Sequence, residues 1–189
     1  MNNDDIANSL KQAVAVLKAG GIIAYPTEAV YGLGCDPFNE QAVQKLLNLK
    51  KRPEEKGLIL ITHSWDAVSH LTEKIPSEVL LKVLKTWPGP YTWVFPAKLN
   101  LVPEWIRGKH NSVAIRITSH KITKNICENF GKPIVSTSAN IDGQKETHTK
   151  AEVLSQFPSG IDYIIEGDTD NLKKPTPIYD VLTGKALRT

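Results

Sequence analysis

Three short stretches of this chain carry side chains suited to holding a polyphosphate. Lys50-Lys51-Arg52-Pro53 sets an ammonium and a guanidinium two residues apart at the end of a helical pattern. Arginine supplies a planar fork and lysine a compact charge, the two forms in which proteins neutralise phosphate oxygens. Cations at that point also complement the negative end of a helix dipole, so a structural reading stands beside the chemical one. Ile134-Val135-Ser136-Thr137-Ser138-Ala139-Asn140 starts as a buried strand and turns polar. Period two puts Ser136 and Ser138 on one side, and Asn140 continues their line, giving three neutral hydrogen-bonding groups in a row, unless the cluster is a plain loop. The segment Pro26 to Gly34 follows an apolar run, where α/β proteins place their ligand loops. It offers the hydroxyls of Thr27 and Tyr31 and the carboxylate of Glu28, with two glycines that serve either a close ligand approach or an ordinary turn. Its spacing is neither G-x-x-x-x-G-K-[ST] nor G-x-G-x-x-G.

A fourth stretch adds a buried charge. In Ser112 to Ile117, Val113, Ile115 and Ile117 share one strand face and leave Ser112, Ala114 and Arg116 on the other. An arginine inside a strand either pairs with a protein carboxylate or awaits an anionic ligand. No serine is matched by a histidine arranged as its base, so covalent catalysis is disfavoured and catalysis by positioning and charge stabilisation is favoured. His63, His70, His110, His120 and His148 show no metal-ligand spacing and read as surface or structural, so no protein-ligated metal is expected. Cys35 and Cys127 read as small buried hydrophobes.

The elements that would hold these groups alternate. Residues 4 to 19 carry apolar positions at helical spacing and stop at Gly20-Gly21; a strand follows at Ile22 to Tyr25 and a helix at about Asn39 to Lys50, closed by Pro53. Further strands are expected at Leu58 to Ile61, Tyr91 to Phe95, Val113 to Ile117, Ile134 to Ser138, Tyr163 to Ile165 and Ile178 to Leu182. Between them lie helices at Pro76 to Thr86 with Ser77 as cap, at His120 to Phe130 ending on Gly131, and one opened by a capping box at Thr149 to Glu152. The proline-rich segment Trp87 to Arg107 breaks the rhythm and reads as a hairpin or excursion. The fold class expected is α/β: one domain over residues 1 to 189, built on a mixed or parallel sheet with flanking helices.

Composition narrows the setting. At 189 residues, 41% hydrophobic and 23% charged, the chain can bury a full core without disulfides or metal. Its longest apolar runs fall far short of the ~20 residues of a membrane span, and its first residues lack the pattern of a secretory signal, so a cytoplasmic location is expected. The formal charge of +3 gathers in residues 61 to 130. That excess suits polyphosphate or RNA, or else an ordinary solubilising surface.

Taken in order, Pro26 to Gly34, Lys50-x-Arg52-Pro53, Ser112 to Arg116 and Ser136 to Asn140 together resemble the YrdC/TsaC family, over the chain from about residue 10 to its end. The resemblance implies a twisted, open sheet with a concave basic face. It also implies a nucleotidyltransferase that makes threonylcarbamoyl-adenylate and pyrophosphate from L-threonine, bicarbonate and ATP, with Mg²⁺ accompanying the nucleotide. The product supplies the threonylcarbamoyl group of modified adenosine 37 in tRNA, through separate transfer proteins. Carried onto this chain, Lys50, Arg52, Ser138 and Asn140 correspond to the group holding the ATP phosphates, with Ser112, Thr147 and Arg188 as further ATP contacts. Thr27, Tyr31, Arg116, Ser136 and Thr176 correspond to the threonine pocket; Thr176 stands in a Lys174-Pro175-Thr176-Pro177 motif that departs from the family's usual serine. Two readings compete: a module that binds double-stranded RNA or tRNA without catalysis, and a structural part of a tRNA-modifying complex.

Overall fold

The structure is a computed structural model that describes residues 3–170, 172 and 176–189. Lys174 and Pro175 of the late motif lie outside the described residues.

The chain opens with helix α1 (Asn3–Lys18), whose last turn leads into Gly20 at φ 77°, a left-handed bend that glycine adopts without penalty. Strands β1 (Ile23–Pro26) and β2 (Tyr31–Gly34) follow as an antiparallel pair. The segment Pro26 to Gly34, read as a ligand loop or an ordinary turn, is half strand: Thr27 to Val30 form a tight turn, closed by Thr27 N and Oγ1 both donating to Val30 O. Helix α2 (Glu40–Lys50) is capped by the Asn39 side chain, and strand β3 (Ile59–Thr62) comes next. Helix α3 (Ser77–Leu84) takes Pro76 as its N-cap with no side-chain bond, so Ser77 is the first helical residue and not the cap that was expected. The proline-rich excursion supplies a full sheet member, β4 (Thr92–Pro96), and the short helix α4 (Glu104–Arg107). Then come β5 (Ser112–Ile117), α5 (Lys121–Phe130) ending on left-handed Gly131, and β6 (Ile134–Ser138). Helix α6 (Lys150–Gln156) has the expected Thr149/Glu152 capping box; β7 (Tyr163–Ile164), β8 (Ile178–Asp180) and β9 (Ala186–Arg188) complete the chain.

All described strands join one sheet in the order β7-β1-β2-β6-β3-β5-β4-β8-β9. It is mixed: β7-β1, β3-β5 and β4-β8 run parallel, and the other pairs run antiparallel. Alternation sorts each strand between two layers. Leu33, Leu60, Ile115, Val135 and Phe95 pack with Ala42, Val43, Leu46 and Leu47 of α2, Val83 of α3, Ile106 of α4 and Val153 of α6. On the opposite face Ile23, Tyr25, Ile61 and Ile134 pack under Leu10, Ala13 and Leu17 of α1 and Ile126, Cys127 and Phe130 of α5. Both cysteines are free and buried, and burial pushes both thiols up. Among the described residues, no helix is long and apolar enough to cross a membrane.

Candidate active site

Strand register builds the site on the α1/α5 face. One row across the sheet runs Ser136, Ile59, Ala114, Val94; the next runs Ile61, Arg116, Thr92, Ile178, Arg188. Ser138 stands opposite Gly32 at the end of β6. Ile61 is buried beneath the helices, while Ile59, Ala114, Ser136, Arg116, Ile178 and Arg188 border a cavity of about 330 Å³. Residues far apart in sequence meet there because every second position of neighbouring strands faces the same way.

Thr27, Arg52, Ser112, Arg116, Ser136, Ser138, Thr176 and Arg188, all anticipated from sequence, line this cavity. The wall also includes Lys56, Arg107, His110 and Glu146, which the sequence reading did not single out. His110, which reads from sequence as surface or structural, comes in on the turn after α4, and no period or motif signals that. Cations therefore dominate: Arg52, Lys56, Arg107, Arg116 and Arg188 face Glu146, the one carboxylate among the described lining residues. Such an excess, focused in a partly closed volume, calls for a polyanionic ligand.

Lys50 and Arg52 part company. Both read as cations suited to one polyphosphate, but Lys51 closes α2 at φ 53°, a left-handed turn that costs a non-glycine residue ~1–2 kcal/mol. The turn sends Arg52 to the cavity and leaves Lys50 inside, 2% exposed, with Nζ donating to Ser138 O at 2.5 Å and Asn140 O at 2.6 Å. Lys50 is thus not a cavity wall; it binds the backbone of the Ser138–Asn140 turn. Asn140 is likewise turned inward: its amide donates to Ile141 O and Gln144 O, and its oxygen accepts from Ser138 Oγ at 2.5 Å. It orients the serine hydroxyl and does not itself border the cavity.

Two other expected contacts also lie elsewhere. Tyr31 has its hydroxyl committed to Gly167, donating to its carbonyl at 2.7 Å, because strand alternation sends Tyr31 to the α2 layer while Gly32 faces the cavity. Thr147 is buried and donates to Ala139 O at 2.7 Å, so its neighbour Glu146 takes the place in the wall. The glycines of this stretch divide as well. A Cβ on Gly34 would stand 2.5 Å from Val135 O, so this glycine serves packing between β2 and β6 rather than ligand approach.

Each cavity arginine is held differently. Arg52 donates to Gly57 O at 3.0 Å and stands 3.7 Å from Asp142, which also takes Lys56 at 2.6 Å. Arg188 donates twice to Thr176 O. Arg116 is buried, donates from Nε to Thr92 Oγ1 at 3.1 Å and faces Glu28 at 3.7 Å, so it has a carboxylate neighbour, and it also lines the cavity. Burial lowers all three guanidinium pKa values, and at Arg188 the Arg116 charge adds to that effect. Guanidinium remains charged regardless. Burial, together with the Arg52 charge, lowers the Lys50 ammonium to about 8, against an opposing pull from Asp142.

That lysine gives a pH signature. Its folded pKa is below the ~10.4 of a free lysine, so the cation is present under pH 8 and lost as pH rises through that value. The same sign makes the Lys50 contribution to stability more favourable between pH 8 and 10.4, because the unfolded chain keeps the proton that the fold has released. Removing a positive charge beside the site weakens a polyanion. The dissociation constant for ATP, measured by calorimetry without threonine, is expected to rise about fivefold from pH 7 to 9.5; a flat profile would show that Lys50 does not act on the nucleotide.

Among the described residues, no group of three His, Cys, Asp or Glu side chains stands together to hold a metal.

The threonylcarbamoyl-AMP synthase of Coxiella burnetii (strain RSA 493 / Nine Mile phase I) is 48% identical over 185 residues, 98% of this chain and 99% of its own length. The protein of that name from Enterobacter sp. (strain 638) is 46% identical over 194 residues, 100% of this chain and 99% of its own. Among solved structures, P. abyssi Sua5 complexed with L-threonine superposes with a TM-score of 0.87 at 31% identity, covering 94% of this chain and 52% of that one. The chain spans about half the length of that Sua5. The family described as "Telomere recombination", which joins Sua5, YciO and YrdC, matches residues 15–189. By family match and full-length relatives alike, the chain belongs to the Sua5/YciO/YrdC family.

Proposed function

We infer that this chain makes L-threonylcarbamoyl-adenylate from L-threonine, bicarbonate and ATP, with release of pyrophosphate, as the first step of threonylcarbamoyladenosine formation in tRNA. The observation that carries this reading is the cavity in which Arg52, Arg116 and Arg188 converge with Ser112, Ser136 and Ser138, in a fold shared with a threonine-bound Sua5.

Arg116, deepest in the sheet, takes the threonine carboxylate. Thr27, Ser136 and Thr176 line the space beside it, where a hydroxyl can be recognised by a hydrogen bond and a methyl by packing. The threonine amine adds its lone pair to the carbon of carbon dioxide derived from bicarbonate and gives up a proton. A carbamate oxygen then attacks the α-phosphorus of ATP, and pyrophosphate leaves with the bond electrons. Arg52, Lys56 and Arg188 offset the phosphate charge, Ser112 donates to a phosphate oxygen, Ser138 does the same once its single proton swings from Asn140 Oδ1 to the nucleotide, and Lys50 and Asn140 hold the turn that carries Ser138. Mg²⁺ enters with the nucleotide as part of that substrate: with Glu146 as the one lining carboxylate, its ligands come largely from phosphate oxygens and water. The product passes to threonylcarbamoyl-transfer proteins, and tRNA or double-stranded RNA is a further partner; such a role belongs in the cytoplasm.

Pyrophosphate release by the pure protein is expected to require ATP, L-threonine and bicarbonate together. Release independent of threonine, or salt-sensitive RNA binding with no turnover, would overturn the enzymatic reading in favour of a binding module.

A further inference from the structure

The turn after β1 buries a carboxylate that the proposed chemistry does not use. Glu28 is 2% exposed. Its Oε1 accepts from Thr118 Oγ1 at 2.7 Å and from the backbone N–H of Ser119 at 3.0 Å, both at the end of β5. Its Oε2, equally buried, accepts no hydrogen bond among the described residues and stands 3.7 Å from Arg116 Nη1. That separation is well beyond the ~2.7–2.9 Å of a charge-assisted hydrogen bond.

The consequences lie at Arg116. A carboxylate in full fork contact would saturate the guanidinium and neutralise the inner end of the cavity. With no carboxylate, the same end would be a bare cation open to any anion. Glu28 sits between these limits, because Thr118 and Ser119 hold it back by one oxygen. Arg116 is fixed at Nε by Thr92, sees a negative charge beside Nη1 and donates from Nη2 to no protein acceptor among the described residues. Arg116 thus borders the pocket with the buried Glu28 charge close behind it, and the field of that pair complements a ligand bearing a carboxylate next to an ammonium.

We propose that Glu28 is a positioning and specificity residue: anchored by Thr118 and Ser119, it aims Arg116 and makes the inner end of the cavity prefer an α-amino acid to a plain carboxylic acid. This rests on the reading that Arg116 holds the substrate carboxylate. Glu28 acts through the field at Arg116 and need not touch the ligand.

Calorimetric titration of L-threonine and of (3R)-hydroxybutyrate, the same molecule without the amine, into the intact protein tests it. The unaltered chain is expected to prefer threonine. Glu28→Gln keeps an acceptor for Thr118 and Ser119 but removes the charge, and is expected to cut that preference at least tenfold, with threonine weakened and hydroxybutyrate bound as tightly or more so. Glu28→Asp keeps the charge and is expected to hold the preference within about threefold. Should Glu28→Gln fail to fold, Thr118→Val releases one anchor of Oε1 and is expected to lower the preference about threefold. Equal weakening of both ligands in Glu28→Gln, or an unchanged preference in the folded variants, would overturn the proposal. Full threonine affinity in Arg116→Met would instead show that the underlying assignment of Arg116 is wrong, a separate result.

Discussion

Arg52→Ala is expected to lower threonine-dependent pyrophosphate release about a hundredfold while leaving the fold nearly as stable. Arg52 reaches the cavity from the turn after α2, and its protein partners are a backbone carbonyl at 3.0 Å and a partly exposed carboxylate at 3.7 Å. A partly exposed pair of that length contributes ~0–1 kcal/mol to stability. Removing a preorganised donor from charge that develops in a transition state costs ~2.7–4 kcal/mol, two to three powers of ten in rate. The measurement is kcat under saturating substrates beside a thermal midpoint. Activity within threefold of the unaltered chain would remove Arg52 from the phosphate-holding group.

Arg116→Met is expected to act on folding and on binding at once, and the two can be separated. Cutting one partner from a buried pair costs ~3–5 kcal/mol, because the other charge is left without its counterion. Here the stranded group is Glu28, 2% exposed, and for a chain of 189 residues the thermal midpoint should fall by roughly 10 °C. Adding Glu28→Gln removes the stranded charge and should recover most of that loss. Threonine binding should stay absent in both variants, since the carboxylate acceptor is gone. A double variant as unstable as the single one would show that Arg116 stabilises the sheet by packing and not by charge.

These expectations depend on how the site was distributed between sequence and fold. The strand Ile134–Ser138 and the placement of Ser112, Ala114 and Arg116 on one face were legible, because period two is local information carried by apolar residues that must enter a core. The capping box at Thr149 and the glycine stop at Gly131 were legible for the same reason: hydrogen bonding and φ preference act within a few residues. Lys50 and Arg52 show where such reasoning ends. Their spacing suggested a matched pair of cations, yet a left-handed Lys51 separates them, and the carbonyls that receive Lys50 belong to a turn about ninety residues away. The hydroxyls of Tyr31 and Thr147 were no easier to place: Tyr31 donates to a carbonyl 136 residues away and Thr147 to one eight residues back across the turn after β6, and an unsatisfied buried polar group is costly enough to decide where each goes.

Residue types and short periods by themselves determined that this chain is an α/β protein with cationic and hydroxyl groups at strand and helix ends, the groups from which chemistry by charge and positioning is proposed. Tertiary structure alone decided which of those groups share a volume. Strand order and register are set by long-range pairing, so they alone could bring Ser136, Arg116 and Arg188 of β6, β5 and β9 to one face in adjacent rows, bring Lys56, Arg107 and His110 to the same wall, and turn Lys50 and Asn140 inward as supports. The physical reason is that side-chain direction follows local backbone geometry, whereas proximity between strands follows from burial and hydrogen bonding summed over the whole sheet.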